Sequence, residues 1–172
     1  MPIGLPDDAG AIIGPLISER QRERVEGYIR KGVEEGARIV TGGGRPEGLD
    51  SGWFVEPTVF ADVDNSMTIA QEEIFGPVLA VIPFDTEDDA VRIANDSAYG
   101  LAGSVYTTDF PKALEIAKKI RTGTYAVNMY AFDPGAPFVG YKNSGIGREN
   151  GPEGIEQYCE SKSVLLPFGY TP

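Results

Sequence analysis

Val78-Leu79-Ala80-Val81-Ile82 is an unbroken apolar run entered through Gly76-Pro77. A strand that is apolar on both faces needs cover on both faces, as it finds between the helical layers of a parallel sheet. Downstream, Thr86 with Asp89 three residues on marks a capped helix start, and that helix runs to about Asp96. Ser104-Val105-Tyr106-Thr107 reads as a strand. Asp109 caps a further helix with Ala113, Ala117 and Ile120 along one face, and Thr124-Tyr125-Ala126-Val127-Asn128 is the next strand. Strand and helix alternate, which predicts an α/β fold with a largely parallel sheet and flanking helices.

Upstream, Pro2, Pro6, Gly14 and Pro15 break an extended lead-in. Ser18 and Gln21 then form the capping-box pattern of a helix that ends near Gly36, with Val25, Ile29 and Val33 as its buried face. A short strand at 37–40 precedes the turn Thr41-Gly42-Gly43-Gly44. A second strand pattern, Trp53 to Phe60, contains Pro57, which has no amide hydrogen to give a ladder; the strand is therefore an edge or is interrupted there. One helical turn spans 66–73. Beyond the last strand, residues 129–150 form a long Gly- and Pro-containing connection, the kind that inside a compact domain is usually functional or disordered. A short helix near 152–160 and a final strand at 161–166 complete the chain.

Composition narrows the chemistry. The 172 residues are 41% hydrophobic and 24% charged, as in an ordinary globular domain. No apolar stretch approaches the ~20 residues of a membrane helix, and the N-terminal residues lack the pattern of a signal peptide, so the expected location is cytoplasmic. The net charge of −11 repels nucleic acid and anionic membranes, and neither is an expected partner. The sequence has no histidine, which removes Ser-His-Asp and Cys-His catalysis and His-ligated metal sites; no metal site is expected. Its single cysteine, Cys159, has nothing to pair with in the same chain.

Two segments invite a chemical reading. In Gln71-Glu72-Glu73-Ile74-Phe75-Gly76-Pro77, two acids close a helical turn just before the buried strand. Ligands of open α/β sheets bind at loops beside strand ends. A carboxylate there can accept hydrogen bonds from sugar hydroxyls, and an aromatic beside it can pack on a flat ring. The residues fit equally a solvated acid pair with Phe75 in the core. In Pro137-Phe138-Val139-Gly140-Tyr141-Lys142-Asn143-Ser144-Gly145-Ile146-Gly147-Arg148-Glu149, the glycines run G-x-G-x-x-x-G to Gly151. That spacing, and the loop before it, do not fit a dinucleotide fingerprint.

Taken together and in order, these segments closely resemble the aldehyde dehydrogenase superfamily. The resemblance extends through Gly14-Pro15-Leu16-Ile17, Trp53-Phe54-Val55-Glu56-Pro57-Thr58-Val59, Asn95-Asp96-Ser97-Ala98-Tyr99-Gly100-Leu101-Ala102 and Gly123-Thr124, from about residue 10 to 167. It implies oxidation of an aldehyde to a carboxylic acid with NAD or NADP as cofactor. Glu73 matches the family glutamate on the nicotinamide ribose, and Phe75 the aromatic beside the nicotinamide. Phe138 matches an aromatic of the aldehyde tunnel, as, more weakly, does Phe132, in a loop of variable length. Val139 stands where the family usually has glycine, which would narrow the loop or shift Phe138.

The same resemblance implies that residues 1–160 are part of the catalytic domain and that 161–172 are a C-terminal oligomerisation strand and tail. The family's nucleophilic cysteine, general-base glutamate and cofactor domain all precede the first matching motif. Cys159 is far from the nucleophile's place, and the resemblance assigns no catalytic residue to this chain. The expected protein is thus a C-terminal fragment, inactive alone. Its expected partners are an aldehyde substrate and either further copies of itself or a complementing N-terminal chain. The alternative is a non-catalytic assembly module.

Overall fold

The computed structural model describes residues 1–170, in an α/β arrangement of two compact units, Met1–Ile93 and one beginning at Ala94. The first unit is built on α1 (Glu19–Glu34), β1 (Arg38–Thr41), β2 (Thr58–Ala61), α2 (Thr68–Gln71) and β3 (Val78–Ala80). Ser18 Oγ accepts from the Gln21 amide (3.2 Å) and starts α1 as expected. The capping box is half-made, because the Gln21 side chain leaves the helix end altogether.

Val25 and Ile29 are buried on α1 as predicted, but Val33 is half exposed and Gly32 takes the third buried place. The buried stripe therefore steps four and then three residues, as a 3.6-residue turn allows. Strands β1, β2 and β3 lie side by side in that order, β1 antiparallel to β2 and β2 parallel to β3, with Phe60 opposite Ile39 and Ala80. Pro57 does interrupt the expected strand. β2 begins at the next residue, whose amide donates to Pro77 O (2.8 Å), and runs as the central strand. Val25, Ile29, Val55, Phe60, Val63, Ile69 and Ile74 form one buried cluster between helix and sheet. β3 pairs along one edge, and Leu79 and Val81 stay exposed on one face, so the cover expected on both faces is absent among the described residues.

α3 (Glu87–Asn95) starts at Thr86, whose hydroxyl donates to Asp89 and accepts from the Asp89 amide. The second unit holds β4 (Tyr99–Gly100), β5 (Ala102–Val105), α4 (Phe110–Lys119), β6 (Thr124–Val127), β7 (Tyr141–Lys142) and α5 (Gly151–Glu156). β5, α4 and β6 form a parallel strand–helix–strand unit, with Ala102 opposite Thr124 and Val105 opposite Val127. Asp109 caps α4 by accepting from the Lys112 amide (3.0 Å). Residues 129–150 fold back on themselves: β7 pairs antiparallel with β4, and Phe138 and Glu149 exchange two main-chain hydrogen bonds (2.7 and 2.9 Å). The strand expected at 161–166 has no ladder partner among the described residues, and Val164, Leu165 and Leu166 are exposed. Among the described residues, no helix is long and apolar enough to cross a membrane.

Candidate functional site

The segment Glu72–Gly76 follows a helix of only four residues, too short to hold its own C-terminal extension. It is held from α1 instead. Gln21 Nε2 donates to Ile74 O (3.2 Å) and Phe75 O (2.9 Å), and Arg24 Nη2 donates to Glu73 O (2.8 Å). The Tyr28 hydroxyl donates to Glu72 (2.7 Å). That hydrogen bond, with burial, pushes the Tyr28 hydroxyl above its ordinary range.

The two neighbouring carboxylates thus differ. Glu72 is engaged by Tyr28, whereas the Glu73 carboxylate is exposed and takes no hydrogen bond from any described residue. Ile74 turns into the core. Phe75 stands 72% exposed at φ +56°, a region uncommon for residues with a side chain, so the ring is presented outward and is not in the core. Gly76 lies directly on α1, where an added Cβ would meet Val25 Cγ2 at 2.5 Å. An outward carboxylate and an outward ring, two residues apart, suit a hydroxyl-bearing sugar and a planar heterocycle.

In the second unit, Phe132 and Phe138 come together edge to face, with ring centroids 5.9 Å apart. They line a recess of about 290 Å³ with Tyr125, Tyr130 and Pro137. Burial pushes the Tyr125 hydroxyl upward. Val139 is buried and packs inward against Gly123, where an added Cβ would collide with the Val139 carbonyl oxygen. Phe138, the preceding residue, faces the recess. Lys142 Nζ fixes the far arm of this loop by donating to Asn95 O (2.7 Å) and Ser97 O (2.9 Å). Cys159 is exposed beyond α5, its Sγ 3.6 Å from Ile155 O. No cluster of three or more Cys, Asp or Glu suited to a metal ion occurs among the described residues.

Residues 1–164 match the family model described as the aldehyde dehydrogenase family. The chain belongs to the aldehyde dehydrogenase family. Relatives agree. A Staphylococcus saprophyticus protein named "Putative aldehyde dehydrogenase" is 52% identical over 163 residues, which cover 94% of this chain and 34% of that protein. The crystal structure of a Mycobacterium tuberculosis aldehyde dehydrogenase complexed with NAD+ is 74% identical and superposes with a TM-score of 0.97, over all of this chain and 36% of that one. Betaine aldehyde dehydrogenase from Staphylococcus aureus, in complex with NAD+, is 43% identical with a TM-score of 0.91, over 99% of this chain and 36% of that one. The chain therefore spans about a third of the length of the curated relatives it matches.

As an aldehyde dehydrogenase segment, the chain carries Glu73 and Phe75 on its first unit and Phe132 and Phe138 on its second. Gln21, Arg24 and Tyr28 escaped the sequence reading. Gln21 was absorbed by the capping pattern, and the one available signal was polar side chains three and four residues apart beside the buried Val25 and Ile29.

Proposed function

We propose that this chain is the C-terminal third of an NAD(P)-dependent aldehyde dehydrogenase, supplying part of the cofactor site and of the aldehyde tunnel to an enzyme completed by other polypeptide. The observation that carries this reading is the fixed loop at 73–75, whose main chain is tied to α1 while the Glu73 carboxylate and the Phe75 ring stand free. Glu73 accepts hydrogen bonds from the nicotinamide ribose hydroxyls, and Phe75 packs beside the nicotinamide. Bound NAD(P)+ supplies the hydride acceptor. Phe132 and Phe138 give the aldehyde an apolar wall and keep water from it. NAD+ in the structures of two relatives supports the cofactor class.

In this reading residues 1–160 belong to the catalytic domain, and 161–172 form a strand and tail that add to a neighbouring subunit's sheet. Cys159 is not the nucleophile. It sits exposed just past α5, between Tyr158 and Glu160. The segment at 161–166, without a ladder partner among the described residues and with Val164, Leu165 and Leu166 exposed, also favours a second reading, an assembly module that binds intact subunits without turnover.

The test joins residues 1–172 behind the N-terminal two-thirds of the mycobacterial relative. The 172-residue chain alone, and its Cys159→Ala variant, should form no NADH from NAD+ and an aldehyde; the joined enzyme should. Glu73→Gln in the joined enzyme should raise the Kd for NAD+ about tenfold to a hundredfold, the worth of a hydrogen bond to a charged group. Turnover by the chain alone that Cys159→Ala abolishes would put the chemistry at Cys159 instead. A joined enzyme that assembles without turnover would leave the assembly role.

A further inference from the structure

Gln21, Arg24 and Tyr28 recur at three- and four-residue steps and so share one side of α1. All three reach the same short segment, at least 44 positions away in sequence. Three consecutive main-chain carbonyls, of Glu73, Ile74 and Phe75, accept from two of these side chains. Arg24 is braced in turn, its guanidinium over the Tyr28 ring at 5.3 Å and its Nη2 also 3.3 Å from the Tyr28 hydroxyl. The helix that carries them is seated by Val25 and Ile29, both buried. The clamp is therefore anchored in the core of the first unit, not in a mobile surface.

The segment needs such an anchor. Phe75 holds a positive φ that costs an L-residue roughly 1–2 kcal/mol over the ordinary helical or extended regions. With the Ile74 and Phe75 carbonyls both released, the backbone at Phe75 would be free to relax toward negative φ and swing the ring. Turning the peptide at Glu73 would move the carboxylate in the same way. Side-chain amide and guanidinium donors on carbonyl oxygens fix the plane of each peptide while leaving its side chain free.

We infer that Gln21 and Arg24 are positioning residues for the cofactor, Arg24 acting through Glu73 and Gln21 through Phe75, so that α1 sets how tightly the nicotinamide half of NAD(P)+ is held. The inference rests on the reading of Glu73 and Phe75 as cofactor contacts. Neither Gln21 nor Arg24 need touch the cofactor. Their effect should vanish when the residue they act through no longer contributes.

The experiment is a double-mutant cycle in the joined enzyme, read as the NAD+ Kd by titration calorimetry, with the thermal midpoint as a check of folding. Arg24→Met should raise Kd about fivefold to tenfold, less than Glu73→Gln because Arg24 acts through the Glu73 main chain and not on the cofactor. Arg24→Lys, which keeps one donor, should recover most of that. In the Glu73→Gln background, Arg24→Met should add less than about twofold, because a positioning residue has nothing left to position. Gln21→Glu, equal in size but without the donor, should weaken NAD+ comparably and should be silenced in turn by Phe75→Ala.

Full additivity of Arg24→Met and Glu73→Gln overturns the inference, as does an unchanged Kd in Arg24→Met when Glu73→Gln alone weakens binding. A Kd insensitive to Glu73→Gln overturns the cofactor reading itself and the inference with it. Should Arg24→Met fail to fold, the Gln21→Glu and Phe75→Ala cycle decides between the same outcomes.

Discussion

Phe54, Val55, Phe60, Val63, Ile69 and Ile74 join Val25 and Ile29 inside the first unit, whereas the second buries only Ala113 and Val139 among its described apolar residues. The second unit is no poorer in large side chains. Tyr106, Phe110, Leu114, Met129, Tyr130, Phe132 and Leu165 all lie more than half exposed. The first unit closes a core of its own and hangs its loop from it. The second has its strands, its capped helix and its folded-back loop in place, but its apolar faces lack partners. Exposed apolar area on this scale marks a surface made to be covered. The chain spans about a third of the length of the curated relatives it matches.

The sharpest way to break this contrast is to make matched cavities. Phe60→Ala should cost the first unit about 3–5 kcal/mol, a large part of a typical domain's stability. Leu114→Ala on the exposed face of α4 should cost less than about 0.5 kcal/mol. Urea unfolding followed by the fluorescence of Trp53, the single tryptophan, reads the first cost, because Trp53 sits in the first unit with the Arg22 guanidinium 4.9 Å from its ring, and amide exchange within α4 reads the second. Equal costs would mean that the second unit has a core after all.

Gly123→Ala should come next, at about 1–3 kcal/mol or more, since its Cβ meets the Val139 carbonyl and the backbone must give way. Amide exchange at Phe138 and Glu149 should accelerate while the Trp53 transition stays put. Coincident loss of both would show that the units unfold as one.

The smallest effect is electrostatic. The Arg45 guanidinium beside Glu26 holds that carboxyl below its ordinary range, despite partial burial. A carboxyl lowered in the folded state contributes stability that is present above the ordinary carboxyl range and is lost as pH falls through the folded value. Arg45→Gln should lower first-unit stability only slightly near neutral pH, because the pair is largely solvent-screened. It should also flatten the acid-side decline in first-unit stability. An unchanged profile would leave the pair without energetic weight.

Local signals were legible where the cause was local. Ser18, Thr86 and Asp109 marked helix starts because a side-chain oxygen satisfies an amide two or three residues on, which sequence spacing encodes directly. Pro57 marked the start of β2 for the same kind of reason. The resemblance pointed to Glu73, but the residues alone do not tell which of two adjacent acids stands free, because Tyr28 decides that from 44 residues away. Gln21 shows how a local pattern conceals a distant one: its spacing from Ser18 fits a capping box, and its side chain serves Ile74 and Phe75. The exposed face of β3 was not foreseen because five apolar residues in a row look alike whether their cover comes from the same chain or another.

Gly76 separates two kinds of inheritance within a few residues. Any side chain there would drive into Val25 at the centre of the first unit, so this position answers to the core and not to the ligand. Glu73 and Phe75 project away from that core and are open to exchange. On the proposed reading, a lineage can change the exposed pair one codon at a time without disturbing the core, provided the glycine beside them stays fixed.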